Sequence, residues 1–290
     1  MSEVRCVHEA HALLGEAPFW DSREQALYWV DIYGRRIHRL HPDTGATESW
    51  LMPDRVAAAV PRAQCGLLVA LSRTLALFDP AQGELHTVFT LDPADAGTRF
   101  NDSRTDSRGR LWIGTMNETD DAPSGTLFRF DAQHRCTPME SGIRISNGIN
   151  CSPDDSLFYL ADTPERIIRA YAFDVGAGSI AGRRDLLTVE HATAMPDGSA
   201  VDVEGCIWNA QWQGGRLVRY APDGSVRRIV KLPVSRPTSC VFGGADPSTL
   251  YVTSSCMELT AAQLRSEPLA GSVFALDVDT PGRECTPFAG

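Results

Sequence analysis

Met195-Pro-Asp-Gly-Ser-Ala-Val-Asp-Val-Glu-Gly-Cys-Ile-Trp208 sets an acid, Asp197, in a tight Pro-Asp-Gly corner. A short alternating run follows, then a Val-Glu-Gly turn, and a second apolar run restarts at Ile207. The same grammar recurs three times upstream. Asn147-Gly148 precedes a run that turns at Ser152-Pro-Asp-Asp and restarts at Leu157. Asn101-Asp102 precedes one that turns at Asp106-Ser-Arg-Gly and restarts at Leu111. Glu16-Ala-Pro-Phe-Trp20 precedes one that turns at Asp21-Ser-Arg-Glu and restarts at Leu27. In each unit a polar residue lies ten or eleven positions before the first leucine or isoleucine of the next run. If the units are structural equivalents, the four polar residues occupy equivalent places.

Working outward, strand-like runs begin at Leu27, Leu67, Leu111, Leu157, Ile207 and Leu250, separated by 40, 44, 46, 50 and 43 residues. A second run follows each and ends in a turn rich in Asp, Pro or Gly, as in Ile37–Gly45, Leu75–Gly83 and Leu217–Gly224. Alternation of apolar with polar or small residues is the period-two signal of strands. The best helical candidate, Leu259–Ser266, is one or two turns long. Six units of this length, each with about four strands, predict an all-β, six-bladed β-propeller with four-stranded antiparallel blades. A pair of β-sandwiches gives no reason for six near-equal periods or for a polar residue at one phase of each. The expected blades run over 18–54, 55–98, 99–145, 146–194, 195–236 and 237–290, in a single domain spanning 1–290. The first residues, through Cys6-Val7, are positioned to add the outer strand of the last blade and close the ring.

Composition excludes several classes. A formal net charge of −10 argues against a nucleic-acid partner, since a polyanion demands a basic footprint. The start, Met-Ser-Glu-Val-Arg-Cys, has no basic segment followed by an apolar one. Apolar stretches such as Val56–Val60 fall far short of a membrane span. The eight cysteines are scattered without a C-x-x-C pair, and several sit in apolar runs as small hydrophobes. These features predict a reduced, cytoplasmic protein without a disulfide framework and without a membrane or nucleic-acid partner. Oligomeric state is left open.

In a propeller the innermost strand of each blade lines the central channel, and its start opens onto one end. Counting ten residues back from each anchor gives Asn101, Asn147 and Asp197, with Glu16 one further back. The same count gives Ala57 in the second unit and Cys240 in the sixth, preceded by Thr238 and Ser239. Two carboxylates and two carboxamides then converge on one axis, a set of oxygen donors suited to a hard or borderline divalent cation. Any one Asn-Gly or Asp-Gly alone is turn chemistry; four at one phase of a repeat indicate a site. Arg99, two residues before Asn101, adds a cation for an anionic or polyhydroxylated ligand. No H-E-x-x-H pair and no G-x-S-x-G elbow is present. The tryptophans sit mostly in the repeated runs, where packing between blades is their ordinary role, with Trp212 or Tyr33 able to reach the pocket.

Leu14-Gly-Glu-Ala-Pro-Phe-Trp20, Arg99-Phe-Asn-Asp102, Gly114-Thr-Met116, Ser146-Asn-Gly148 and Pro196-Asp-Gly198 resemble the ordered motifs of the regucalcin/gluconolactonase family. The resemblance covers nearly the whole chain and is closest to the bacterial sugar-lactonase branch, which includes xylonolactonases and arabinonolactonases. It implies a six-bladed propeller with one divalent metal ion (calcium, zinc, manganese, magnesium or iron) at the channel mouth. Matched residue by residue, it makes Glu16, Asn147 and Asp197 the metal ligands, and Arg99 and Asn101 substrate contacts. Glu118, in the variable loop Asn117–Ser124, is the nearest match to a further acidic substrate contact. One departure is Gly-Glu-Ala-Pro where many members have Gly-Glu-Gly-Pro, a difference of one methyl group at Ala17.

The resemblance implies hydrolysis of a small sugar lactone to the aldonic acid. Opening that ester needs an electrophile on the carbonyl oxygen and an activated water; a divalent ion supplies the first. Asp197 is implied as general base, although coordination to a cation weakens a carboxylate as a base, which leaves metal-bound hydroxide as the alternative nucleophile. Arg99 and Asn101 then position ring hydroxyls and stabilise the developing oxyanion. Two other functions fit the same residues: a related metal-dependent esterase or phosphotriesterase, and a non-enzymatic calcium-binding propeller. Convergence of polar groups at one mouth favours an enzyme over a scaffold.

Overall fold

The computed structural model describes residues 3–95, 97–119 and 122–290. Its strands form six separate four-stranded antiparallel sheets, five of them paired in chain order. The blades span 15–51, 56–90, 98–143, 146–188 and 195–231. The sixth combines three strands within 237–277 with Arg5–His8, which pairs antiparallel with Val273–Asp277. The terminal strand thus closes the ring as the sequence predicts. Five expected boundaries fall within one residue of a strand start. The first does not: blade one begins at Gly15 rather than at 18, because Glu16 belongs to its innermost strand, Gly15–Asp21. The helix expected near 259–266 is α1, Ala261–Ser266, opened by a capping box between Thr260 and Gln263.

The first strands of successive blades lie against one another all the way round the axis. They are buried along nearly their whole length, whereas fourth strands such as Ala46–Leu51 and Ser179–Thr188 are largely exposed. Second strands therefore read as continuous apolar runs: both faces pack against neighbouring blades. Trp29, Trp112 and Trp208 are among the largest side chains wholly removed from solvent.

A recurrent acid anchors the turn between first and second strands. Asp202 accepts from the backbone N–H of Glu204 (3.1 Å) and Cys206 (3.0 Å), from the Trp208 indole N–H (3.0 Å) and from Arg219 Nε (2.8 Å). Asp106 does the same with the Arg108 and Arg110 amides, the Trp112 indole and Arg110 Nε. One carboxylate thereby satisfies the donors of a tight turn and orients the tryptophan that fills the gap between blades. This is the physical content of the repeated Asp in the sequence.

Since first strands run the same way, their starts gather at one mouth and these turns at the other. The chain's last dozen residues cross that second mouth. Val203 N–H donates to Pro281 O (3.0 Å), Gly282 N–H to Pro247 O (2.9 Å), and Arg283 pairs with Asp155 (2.8 Å). Thr105 Oγ1 donates to Thr286 O, and Phe288 N–H donates to Pro61 O (2.9 Å). Phe288 is fully buried and stacks on Phe130. This strap touches every blade, including blade one through Ser22 and Glu284 (3.5 Å).

Asp202→Ala removes a wholly buried acceptor and strands four donors. We expect a loss on the order of 3–5 kcal/mol, measured as a lower urea midpoint at unchanged slope. Cation affinity and turnover of the folded fraction should stay at parent values, because the turn stands at the far mouth. A midpoint like the parent's would refute the anchoring role.

Candidate active site

At the open mouth, every first strand slips register against its neighbour at one point. The slips fall between Glu16 and Phe19, Val56 and Ala58, Phe100 and Ser103, Asn147 and Asn150, Pro196 and Ser199, and Pro237 and Cys240. A bulge bends the strand and re-aims a side chain. Here it turns one residue per blade toward the axis, which is why polar residues recur at one phase of the repeat. In blade two the place belongs to Ala57; in blade six Thr238 and Ser239 occupy it, ahead of Cys240.

Local backbone demands explain the flanking small residues. Gly148 holds φ +60° beside Asn147, and a Cβ on Gly198 would fall 2.0 Å from Ser239 Oγ. Ala17 adopts φ 45°, a left-handed conformation that costs an L-residue about 1–2 kcal/mol. The Ala17 methyl group is therefore a source of strain that a glycine would not carry. Ala17 N–H donates to Glu16 Oε2 at 2.7 Å, so the strained peptide also fixes the Glu16 carboxylate.

Glu16, Asn101, Asn147, Asp197 and Arg99 are all buried and line one cavity of about 330 Å3. Tyr33, Met116, Ile145, Trp212 and Met257 supply much of its wall. Of the sequence candidates, Glu118 alone stands outside this lining. It is held by Arg55 through two hydrogen bonds, 3.2 and 2.7 Å, which keep its carboxyl below the usual range. Residues 120 and 121 of its loop lie outside the described residues.

The carboxyl groups of Glu16 and Asp197 adjoin, within hydrogen-bonding reach once one of them is protonated. Burial first, then repulsion from Asp102, pushes Glu16 up to about 8; burial and the charge of Glu16 hold Asp197 well above the ordinary aspartate value. Asp102 went unrecognised in the sequence because it reads as the second half of an Asn-Asp turn. It is the bulged partner of Asn101, buried, and accepts from the Ser103 and Ile149 amides (2.8 and 3.0 Å). The Arg99 charge acts on Glu16 and that of Arg104 on Asp102; Arg99 donates to Phe100 O and to Asn101 Oδ1, both at 2.9 Å.

This donor set fits a divalent cation. Two buried acids adjoin on the pocket wall, among the described residues no lysine or arginine is bonded to either, and the Asn147 amide oxygen lines the same cavity. Among the described residues no cluster of three or more His, Cys, Asp or Glu is placed for metal binding; here the third donor is an amide oxygen. All-oxygen ligation suits calcium, magnesium or manganese better than a soft ion.

A propeller with one mouth strapped shut and a polar, buried pocket at the other belongs to the pocket-bearing class rather than to flat interaction platforms. The chain belongs to the SMP-30/gluconolactonase/LRE-like family, whose model matches residues 14–256. It is 40% identical to a 6-deoxy-6-sulfogluconolactonase of Pseudomonas putida, over 99% of both chains. It is 34% identical to a pentonolactonase of Haloferax volcanii, over 97% of this chain and 96% of that one. A solved calcium-binding protein, regucalcin, from Agrobacterium tumefaciens superposes with TM-score 0.95 at 30% identity, covering 100% of this chain and 98% of that one.

The raised carboxyl pair has a consequence for cation-free protein. A folded-state value above the unfolded one means that the pair binds its proton more tightly when folded. Its stabilising contribution is complete below the ordinary glutamate value of 4.5 and is lost as pH climbs toward about 8. The melting temperature of chelator-treated protein should therefore fall across that window, and Glu16→Gln should flatten the fall. Parallel profiles for parent and variant would show that the two acids do not share a proton.

Proposed function

We propose that this protein hydrolyses sugar aldonolactones, pentono- or hexonolactones, to the aldonic acids, using one divalent cation held by Glu16, Asn147 and Asp197. The observation that carries this reading is the buried Glu16–Asp197 pair set beside an oriented amide oxygen inside a closed-ended pocket. The lactonase names of relatives at 40% and 34% identity support the substrate class. A platform that only bound calcium would have no use for a cavity of this size or for Arg99 on its wall. An esterase or phosphotriesterase would use the same carboxylates, and differs in the leaving group it must accommodate.

When bound, the cation polarises the lactone carbonyl and holds both carboxyl groups ionised. Asp197, then a carboxylate, accepts a proton from the attacking water as its oxygen bonds to the carbonyl carbon. The ring C–O bond breaks, and the departing alkoxide takes that proton, leaving the open-chain hydroxy acid. Arg99 directs its remaining N–H groups at ring hydroxyls and at the developing oxyanion. Asn101 gives both amide protons to Ser146 O and Asn147 Oδ1 and accepts from Arg99, which holds Arg99 and Asn147 in place and leaves one lone pair of its oxygen for a ring hydroxyl. Tyr33 and Trp212 offer flat apolar surface to the C–H face of the ring. Glu118 reaches substrate only by releasing Arg55, and we assign it to the rim. Among the described residues no helix is long and apolar enough to cross a membrane.

Glu16→Gln should weaken divalent-ion affinity, whereas Arg99→Ala should leave that affinity at the parent level and raise KM for aldonolactones. Asp197→Asn should lower kcat by at least about 10²-fold, the typical cost of losing a general base, even at saturating cation. Calorimetric ion titration paired with steady-state assays on a panel of aldonolactones tests all three. Full recovery of kcat in Asp197→Asn at high cation would reduce Asp197 to a ligand. Parent-like hydrolysis without ion dependence would remove the site altogether.

A further inference from the structure

An asparagine ligand must present its oxygen, and not its NH2, to a cation. Its side chain is symmetric in shape, so only its hydrogen-bond partners can decide which end faces the site. Around Asn147 those partners form a relay across three blades. Arg99 donates to Asn101 Oδ1 (2.9 Å), and Asn101 Nδ2 donates to Asn147 Oδ1 (3.0 Å). Asn147 Nδ2 donates to Thr163 Oγ1 (2.8 Å), and the Thr163 hydroxyl donates to Pro196 O (2.8 Å).

Both ends of this relay have fixed polarity. A guanidinium can only donate, which turns the Asn101 oxygen toward Arg99 and its NH2 toward Asn147. A backbone carbonyl can only accept, so the single Thr163 proton is committed to Pro196. Thr163 then offers Asn147 nothing but a lone pair, and the Asn147 NH2 must lie on that side. Every member is buried, so a reversed amide would set donor against donor at Asn101 and acceptor against acceptor at Thr163. The Asn147 oxygen is left with one lone pair taken by Asn101 and the other free for the cavity. The carbonyl that receives the Thr163 proton belongs to the residue immediately before Asp197. One hydroxyl therefore sets the sense of one donor and ties it to the strand of another.

We propose that Thr163 is a positioning residue, whose hydroxyl orients the Asn147 amide oxygen toward the divalent cation and ties it to the Asp197 strand. The inference rests on the cation reading above, and concerns a side chain on the pocket wall whose hydroxyl is spent on Asn147 and Pro196. Partners of this kind around metal ligands change affinity by about 10–100-fold.

Thr163→Val keeps the shape and deletes both hydrogen bonds; Thr163→Ser keeps the hydroxyl. Calcium, manganese and zinc ions, each alone, are titrated calorimetrically into folded chelator-treated protein well below its melting temperature. We expect at least about tenfold weaker binding for Thr163→Val and within about threefold of the parent for Thr163→Ser. The decisive arm repeats Thr163→Val in an Asn147→Asp background. A carboxylate has two equivalent oxygens and needs no orienting, so the valine should there cost little. Should the valine variant fail to fold, Thr163→Ala enters the same cycle. Equal losses in both backgrounds would reduce Thr163 to packing, and parent-like affinity in Thr163→Val would end the proposal with the cation site intact. A parent that binds none of the three ions would overturn the cation reading itself.

Discussion

Two carboxylates buried side by side, with no positive side chain bonded to either, are the constraint around which this mouth is built. Glu16 and Asp197 come from the first and fifth blades, so their contact requires the ring to be closed and in register. Burial drives both upward, joined by the charge of Asp102 at Glu16 and by the charge of Glu16 at Asp197. The fold tolerates this because the cost is concentrated at one point while burial of the blades is spread along the whole chain. A divalent ion would relieve the repulsion without any change in the protein. The same groups that weaken the empty site thus favour its occupied form, a linkage in which binding stabilises only the folded chain.

The bulges are the local means to that end. A regular strand would alternate its side chains between the two faces of its blade, and none would point steadily at the axis. One irregularity per first strand frees a single residue to do so. The strain this requires is visible at Ala17, in the left-handed region next to a proposed ligand, whereas at Gly148 the same conformation falls to a residue that adopts it freely. Backbone strain of this kind persists only where the surroundings over-determine it. Here the surroundings are five other first strands, each bulged at the same height.

Much of this was legible in the sequence, and the reasons differ by level. The six periods survive because each blade needs the same apolar second strand, and in blades three and five the same acid-anchored turn sets Leu111-Trp112 and Ile207-Trp208 at matching distances from Asp106 and Asp202. Glu16, Asn101, Asn147 and Asp197 were found because the bulge holds them at one phase. Thr163 and Asp102 were not. Thr163 follows the second strand of its blade, outside the phase being counted, and its role depends on Asn147 lying opposite Ala161, two residues before it. Asp102 shares a bulge with Asn101, and nothing in a dipeptide says which of its two side chains faces the ligand. Glu118 matches by position in a loop, where no repeat constrains it, and the structure gives it to Arg55.

The closed mouth completes the account. Were both ends of the channel open, water would reach the floor beneath Asp102 and screen the acids from one another. The strap from 279 to 290 prevents that by tying every blade's far turn, leaving between itself and the floor a cavity of only about 60 Å3, room for a few ordered waters at most. Charges above a dry floor interact at low effective dielectric, so repulsion between Glu16 and Asp197 is strong and so is their pull on a cation. Phe288, buried at the opposite end from the pocket, acts on the site through this exclusion of water alone. The strength of the proposed cation site therefore depends on the strap as well as on the residues that face the ion.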